Sequence, residues 1–139
     1  MADFDNYIGL PWKEKGRDPT GFDCWGLLRF IYLEEYGLEL PSFSDSYKTV
    51  EDGKALSDLI AGEMGPWQPV AKGTERVSDA VLMTLQGQPR HVGLIVAPSL
   101  VLHIERATGS LIENYESFRL QRRVIGFFRH RYFNDREDR

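Results

Sequence analysis

The sequence predicts an α+β fold with N-terminal helices packed on an antiparallel sheet of about five to six strands. Three observations lead there. Apolar residues recur at helical spacing early in the chain, and at a period of about two after residue 79. The strand-like runs are joined by short turns, and parallel crossovers need a dozen or more residues. Helices first and strands second is the α+β order.

Each element follows from its residues. The stretch Tyr7 to Thr20, with Leu10-Pro11-Trp12 and Lys15-Gly16-Arg17-Asp18-Pro19, reads as a structured loop. From Asp23 to Tyr36, Cys24, Leu27, Leu28, Ile31 and Tyr32 form one buried helical stripe. Asp23 suits the N-cap and Gly37 the position after the last turn, with Pro41 preventing continuation. A second, weaker helix is expected over Val50 to Ala61, between Thr49 and Gly62. Strands are expected at Asp79–Leu85, His91–Ala97, Leu100–Glu105, Ser110–Asn114 and Val124–Phe133. Gln86-Gly87-Gln88-Pro89, Ala97-Pro98-Ser99 and Thr108-Gly109 supply the turns, and residues 134–139 read as a frayed tail.

Composition narrows the class. The 139 residues suit one domain over 1–139, and 42% hydrophobic content is enough for a core. A net charge of −4 offers no basic excess for a phosphate backbone, so no nucleic-acid partner is expected. One cysteine excludes an internal disulfide. The acidic, polar start lacks the basic region and apolar run of a secretory signal, and no apolar stretch is long enough to span a membrane. Synthesis in the cytoplasm, with any outside action depending on another carrier, is the expectation.

The chemistry centres on Cys24 in Gly21-Phe22-Asp23-Cys24-Trp25-Gly26. A thiol at a helix start faces aligned peptide N–H groups, which predict a lowered pKa. His91 and His103 lie in neighbouring strand runs, each about six residues from the Pro98-Ser99 turn, so a hairpin would set them roughly opposite each other. Cys24 could then act as nucleophile, one histidine as base and the other as its orienting partner. Gly26 removes a side chain beside the thiol and could admit a ligand. Each residue also has a plain reading: Cys24 as inert core, His91 as a strand-edge residue, His103 as a satisfied core histidine. A Cys–His–His zinc site fits by ligand type, but no Cys-x-x-Cys or close histidine pair supports it, and no metal or cofactor is expected. His130, between Arg129 and Arg131, reads as a solvated strand residue. Trp12, Trp25 and Trp67 could line a groove or simply pack, and Arg119, Arg122, Arg123, Arg129 and Arg131 could form a basic or merely solvated face.

At these residues the chain resembles the NlpC-type cysteine peptidases, papain-like enzymes that cut the peptide stems of bacterial cell wall. The resemblance is carried by Phe22-Asp23-Cys24-Trp25-Gly26-Leu27, Ser78-Asp79-Ala80-Val81-Leu82-Met83, His91-Val92-Gly93-Leu94-Ile95 and Leu102-His103. It implies a papain-like fold with Cys24 as nucleophile, His91 as general base and His103 as orienting residue. It also implies that Asp23 helps to bind a substrate amine. Ile8-Gly9-Leu10-Pro11-Trp12 with Trp25 looks most like the phage tail-associated branch, which implies other tail proteins as partners and a place in a virion tail or at the bacterial wall. Trp25 stands where the family usually has Ser or Ala, and would narrow the groove. Trp12 stands where many members carry a tyrosine that helps the oxyanion; its indole N–H could substitute. The function expected is a stem-peptide endopeptidase, cutting between D-glutamyl and the diamino acid. The alternatives are a tail assembly protein that keeps the fold without chemistry, and an amidase or acyltransferase acting on another small amide.

Overall fold

The structure, a computed structural model, describes residues 3–42 and 66–133. The helix expected over Val50–Ala61 and the tail 134–139 lie outside the described residues. After a short 3-10 turn at Phe4–Tyr7 come two-residue strands β1 (Arg17–Asp18) and β2 (Gly21–Phe22), then helix α1 (Cys24–Tyr36). Six strands follow: β3 (Trp67–Val70), β4 (Ala80–Leu85), β5 (Gln88–Ala97), β6 (Leu100–Glu105), β7 (Gly109–Asn114) and β8 (Val124–His130).

The ends of α1 are set as its sequence demands. Asp23 Oδ1 accepts from the Gly26 N–H at 2.8 Å, and Gly37 closes the last turn at φ +65°, its N–H donating to the carbonyl oxygens of Leu33 and Tyr32. The first turn is buried on every side, Cys24 through Leu28. Gly26 is the reason this crowding is possible. A Cβ there would lie 1.9 Å from the Gly16 carbonyl oxygen, so the neighbour admitted is the chain's own loop rather than a ligand.

β3 to β8 form one antiparallel sheet in the order β3-β8-β4-β5-β6-β7. β4 to β7 are a meander, as the short turns predict. Gln86 and Gly87, both at positive φ, make the first turn, so β5 begins at Gln88 rather than at His91. The meander does not continue: β8 returns past it and inserts between β3 and β4. β3 is a strand the sequence did not disclose, paired Trp67↔His130 to Val70↔Phe127.

Each sheet face carries its own core. α1 covers one, with Leu28, Ile31 and Tyr32 over Ala80, Leu82, Val92, Leu94, Leu102 and Ile104. The segment between β7 and β8 covers the other, with Tyr115 and Leu120 against Val81, Met83, Ile95, Val101 and Phe127. The outer edge of β7 is closed by the N-terminal segment. Ser110 exchanges backbone bonds with Gly9 and Leu10 (2.9 and 3.0 Å), and its hydroxyl donates to the Tyr7 carbonyl and accepts from the Leu10 N–H.

Candidate active site

His91 and His103 meet in the buried interior. His91 Nε2 lies 2.8 Å from His103 Nδ1, with the rings nearly edge to face. Both are about 98–99% buried, His91 being 2% and His103 1% exposed. They are not directly opposite. The β5–β6 register Leu94↔Leu102 carries His103 toward Gly93, leaving His91 on the diagonal. Gly93 makes this approach possible, because a Cβ there would sit 3.1 Å from the His103 Cβ and 2.6 Å from Val101 Cγ2.

Behind the pair stands a charged network that the sequence reading missed. His103 Nε2 is 2.8 Å from Glu113 Oε1 on β7. Arg119 grips Glu113 at both oxygens, with Nε donating to Oε2 at 3.0 Å and Nη2 to Oε1. Arg119 also reaches Glu105, which pairs with Arg123 at 3.0 Å. A signal was available: the Thr108-Gly109 turn fixes the register His103↔Leu111, which puts Glu113 one diagonal step away. Arg119 and Arg123, and Arg129 through Asp79, therefore neutralise carboxylates and do not form the open basic face considered above.

Cys24 is 2% exposed and lies in the core under α1. Its sulfur sits against the backbone amides of Val92, the residue after His91, and of Trp25. The expected lowering of its pKa is reversed. Burial pushes the thiol up, the Asp23 carboxylate adds to that, and the two amides and Arg17 only partly offset it. The magnitudes explain the outcome: a helix start supplies up to about 2 kcal/mol, whereas burial can move a group by about 3–5 pKa units, at roughly 1.4 kcal/mol per unit. Burial likewise lowers His91 to about 3, with His103 beside it acting in the same direction. His103 is lowered by burial against the opposing pull of Glu113. Burial opposes ionisation of Glu105 as well, but His91 and Arg123 outweigh it and hold that carboxyl down to about 2. The site at rest thus holds a neutral thiol and neutral imidazoles.

Two expectations are corrected, those for Trp25 and His130, and Asp23 takes a buried capping position. Trp25 does not narrow a groove: it is fully buried, its indole N–H donates to the Pro41 carbonyl at 2.9 Å, and its ring meets Trp67 edge-on. Asp23 is fully buried, with Oδ1 capping α1 and pairing Arg17 Nη1 at 2.8 Å. His130 is 7% exposed, packs edge-on to Trp67 and accepts from the Tyr132 N–H. Trp12 alone of the three tryptophans reaches the site. It lines a cleft of about 130 Å³ with Leu85, Gln86, His91, Ile104, Glu105 and Arg106. Arg106 lies over its ring at 5.2 Å, and its buried indole nitrogen has no hydrogen-bond partner. His91, His103 and Glu105 also offer ligand atoms within 4.8 Å of one another, a donor set of the kind divalent metals accept.

Comparison with known proteins gives a consistent picture. Protein P54 of Enterococcus faecium is 32% identical over 78 residues, which is 56% of this chain and 15% of that protein. Murein DD-endopeptidase MepS/Murein LD-carboxypeptidase of Escherichia coli strain K12 is 25% identical over 114 residues, 82% of this chain and 52% of its own. The chain therefore spans about half, or less, of these relatives. The crystal structure of the NlpC/p60 domain of peptidoglycan hydrolase SagA superposes with a TM-score of 0.61 at 20% identity, covering 89% of this chain and 90% of that one. The model of the NlpC/P60 family matches residues 9–129, and the chain belongs to that family.

Proposed function

We propose that this domain is a cysteine peptidase that hydrolyses amide bonds in peptidoglycan stem peptides, with Cys24 as nucleophile, His91 as general base and His103 as its orienting partner. The observation that carries the reading is the buried His91–His103 pair at 2.8 Å, one residue from the amide against which the Cys24 sulfur rests. The relatives named for murein and peptidoglycan hydrolysis support the substrate class.

His91 spends Nε2 on His103, so Nδ1 is the nitrogen that takes the thiol proton. Because both groups rest neutral, proton transfer accompanies the attack of sulfur on the carbonyl carbon. The oxyanion is held by the Cys24 backbone N–H at the start of α1 and by the unpartnered indole N–H of Trp12. Collapse breaks the C–N bond, and the proton on His91 goes to the leaving amine. Water, deprotonated by His91, then cleaves the thioester and returns the thiol.

The bond proposed is the one between D-glutamyl and the diamino acid. The tail-associated setting, with other phage tail proteins as partners, is supported by the Ile8-Gly9-Leu10-Pro11-Trp12 block. A second reading, a fold kept without chemistry, draws on one observation, the 2% exposure of Cys24. Purified cell wall separates the two. The wild-type chain should release free amines, and mass analysis of the fragments names the bond. Cys24→Ala, with an unchanged circular dichroism spectrum, should release none. Equal release by that variant would sink the mechanism, and no release by folded wild type would favour the second reading.

A further inference from the structure

The contacts behind His103 fix more than its position. A carboxylate only accepts hydrogen bonds, so the 2.8 Å contact between His103 Nε2 and Glu113 Oε1 requires the hydrogen on Nε2. A neutral imidazole carries one N–H, so His103 Nδ1 is a bare lone pair. The 2.8 Å contact with His91 Nε2 must then be an N–H donated by His91. That leaves His91 Nδ1 without a hydrogen and able to accept one. We propose that Glu113 is a positioning residue that sets the tautomer of both histidines, so that His91 presents an unprotonated Nδ1 to the thiol. The inference rests on the peptidase reading above.

Without Glu113, the two rings can share their hydrogens in either sense. The reverse sense puts the hydrogen on His91 Nδ1, where it blocks proton transfer from sulfur. Glu113 is held against turning by the Arg119 fork on both its oxygens. Arg119 in turn is tied to Glu105, and Glu105 to Arg123, so the acceptor stays ionised and aimed. The charged and titratable groups acting on the pair are thus Glu105 on β6, Glu113 on β7, and Arg119 and Arg123 before β8, while the Cys24 sulfur rests against the Val92 amide next to His91.

Glu113→Gln tests this with little change of shape. An amide must place its NH2 toward either His103 or Arg119, and both offer only hydrogens there, so the variant either reverses the relay or loosens the Arg119 fork. The expected result on wall substrate is a fall in kcat of about 10–100-fold with little change in KM, the scale of losing a group that orients another. The exposed neighbour Glu116→Gln serves as the control with unchanged activity. Nitrogen-15 spectra of histidine-labelled wild type should show His91 and His103 both protonated on Nε2 at pH 7, and Glu113→Gln should alter those signals. Full kcat in Glu113→Gln, or a wild-type spectrum with His91 protonated on Nδ1, overturns the proposal. If the wild type hydrolyses no wall substrate, the peptidase reading fails, and the spectrum still decides the tautomers.

Discussion

Gly26→Ala sets two effects of opposite sign against each other. Alanine is the better helix former, and on that ground alone the change should stabilise α1 by about 1 kcal/mol. The surroundings oppose it. The new Cβ would lie 1.9 Å from the Gly16 carbonyl oxygen and 2.9 Å from Arg17 Nη1. Ordinary contact begins near 3.5 Å, so the loop must retreat by about 1.5 Å. Arg17 Nη1 also holds Gly16 and Asp23, each at 2.8 Å, and the retreat breaks a charge-assisted bond worth roughly 1.5–3 kcal/mol. Overpacking adds about 1–3 kcal/mol. The net is a destabilisation of about 1.5–5 kcal/mol, which for a domain of this size lowers Tm by roughly 5–17 °C. Urea and thermal unfolding followed by circular dichroism measure it directly. A variant as stable as wild type, or more so, would refute the close approach of the loop and return Gly26 to the role of a ligand-admitting gap.

Two further outcomes follow from the site. Burial holds His91 near 3, below its ordinary value of 6.5, so the unfolded chain takes up that proton first as pH falls. Stability should therefore decline between about pH 6.5 and 3, and His91→Gln should show a shallower decline in chemical denaturation; parallel curves would contradict it. Trp12→Phe keeps the ring under Arg106 but removes an indole N–H that has no partner in the resting site. Folding stability should stay level or rise slightly, while kcat falls about 100-fold; an unchanged kcat would remove Trp12 from the oxyanion site.

What the sequence disclosed is what neighbouring residues decide. Asp23 and Gly37 bound α1 because caps are local, and Pro98-Ser99 and Thr108-Gly109 fold hairpins for the same reason. From those turns the approach of His91 to His103 could be read, although a register offset turns an opposed pair into a diagonal one. The failures are non-local. β3 shows no alternation in Trp67-Gln68-Pro69-Val70, and its partner β8 lies some 60 residues onward. Trp25 looks like a groove residue in sequence because only the packing of α1 against Trp67 reveals its direction. The thiol was misjudged because the helix start is visible in the sequence and burial of the whole first turn is not. Glu113 escaped notice because an acidic residue in a strand acquires meaning only from the histidine across the hairpin.

The clasp between Ser110 and Tyr7–Leu10 has a consequence for the order in which the chain acquires its structure. It joins residues about 100 apart, with Ser110 Oγ bonding Tyr7 and Leu10. Closing a loop of that length costs about 4 kcal/mol of chain entropy before any contact repays it. The hairpins of β4 to β7 close over only a few residues each. During synthesis, residues 7–10 emerge before β7 and have nowhere to dock until it exists. That segment, made before the sheet it closes, is thus among the last to settle, and until it does, the β7 edge stands open to pair with another chain.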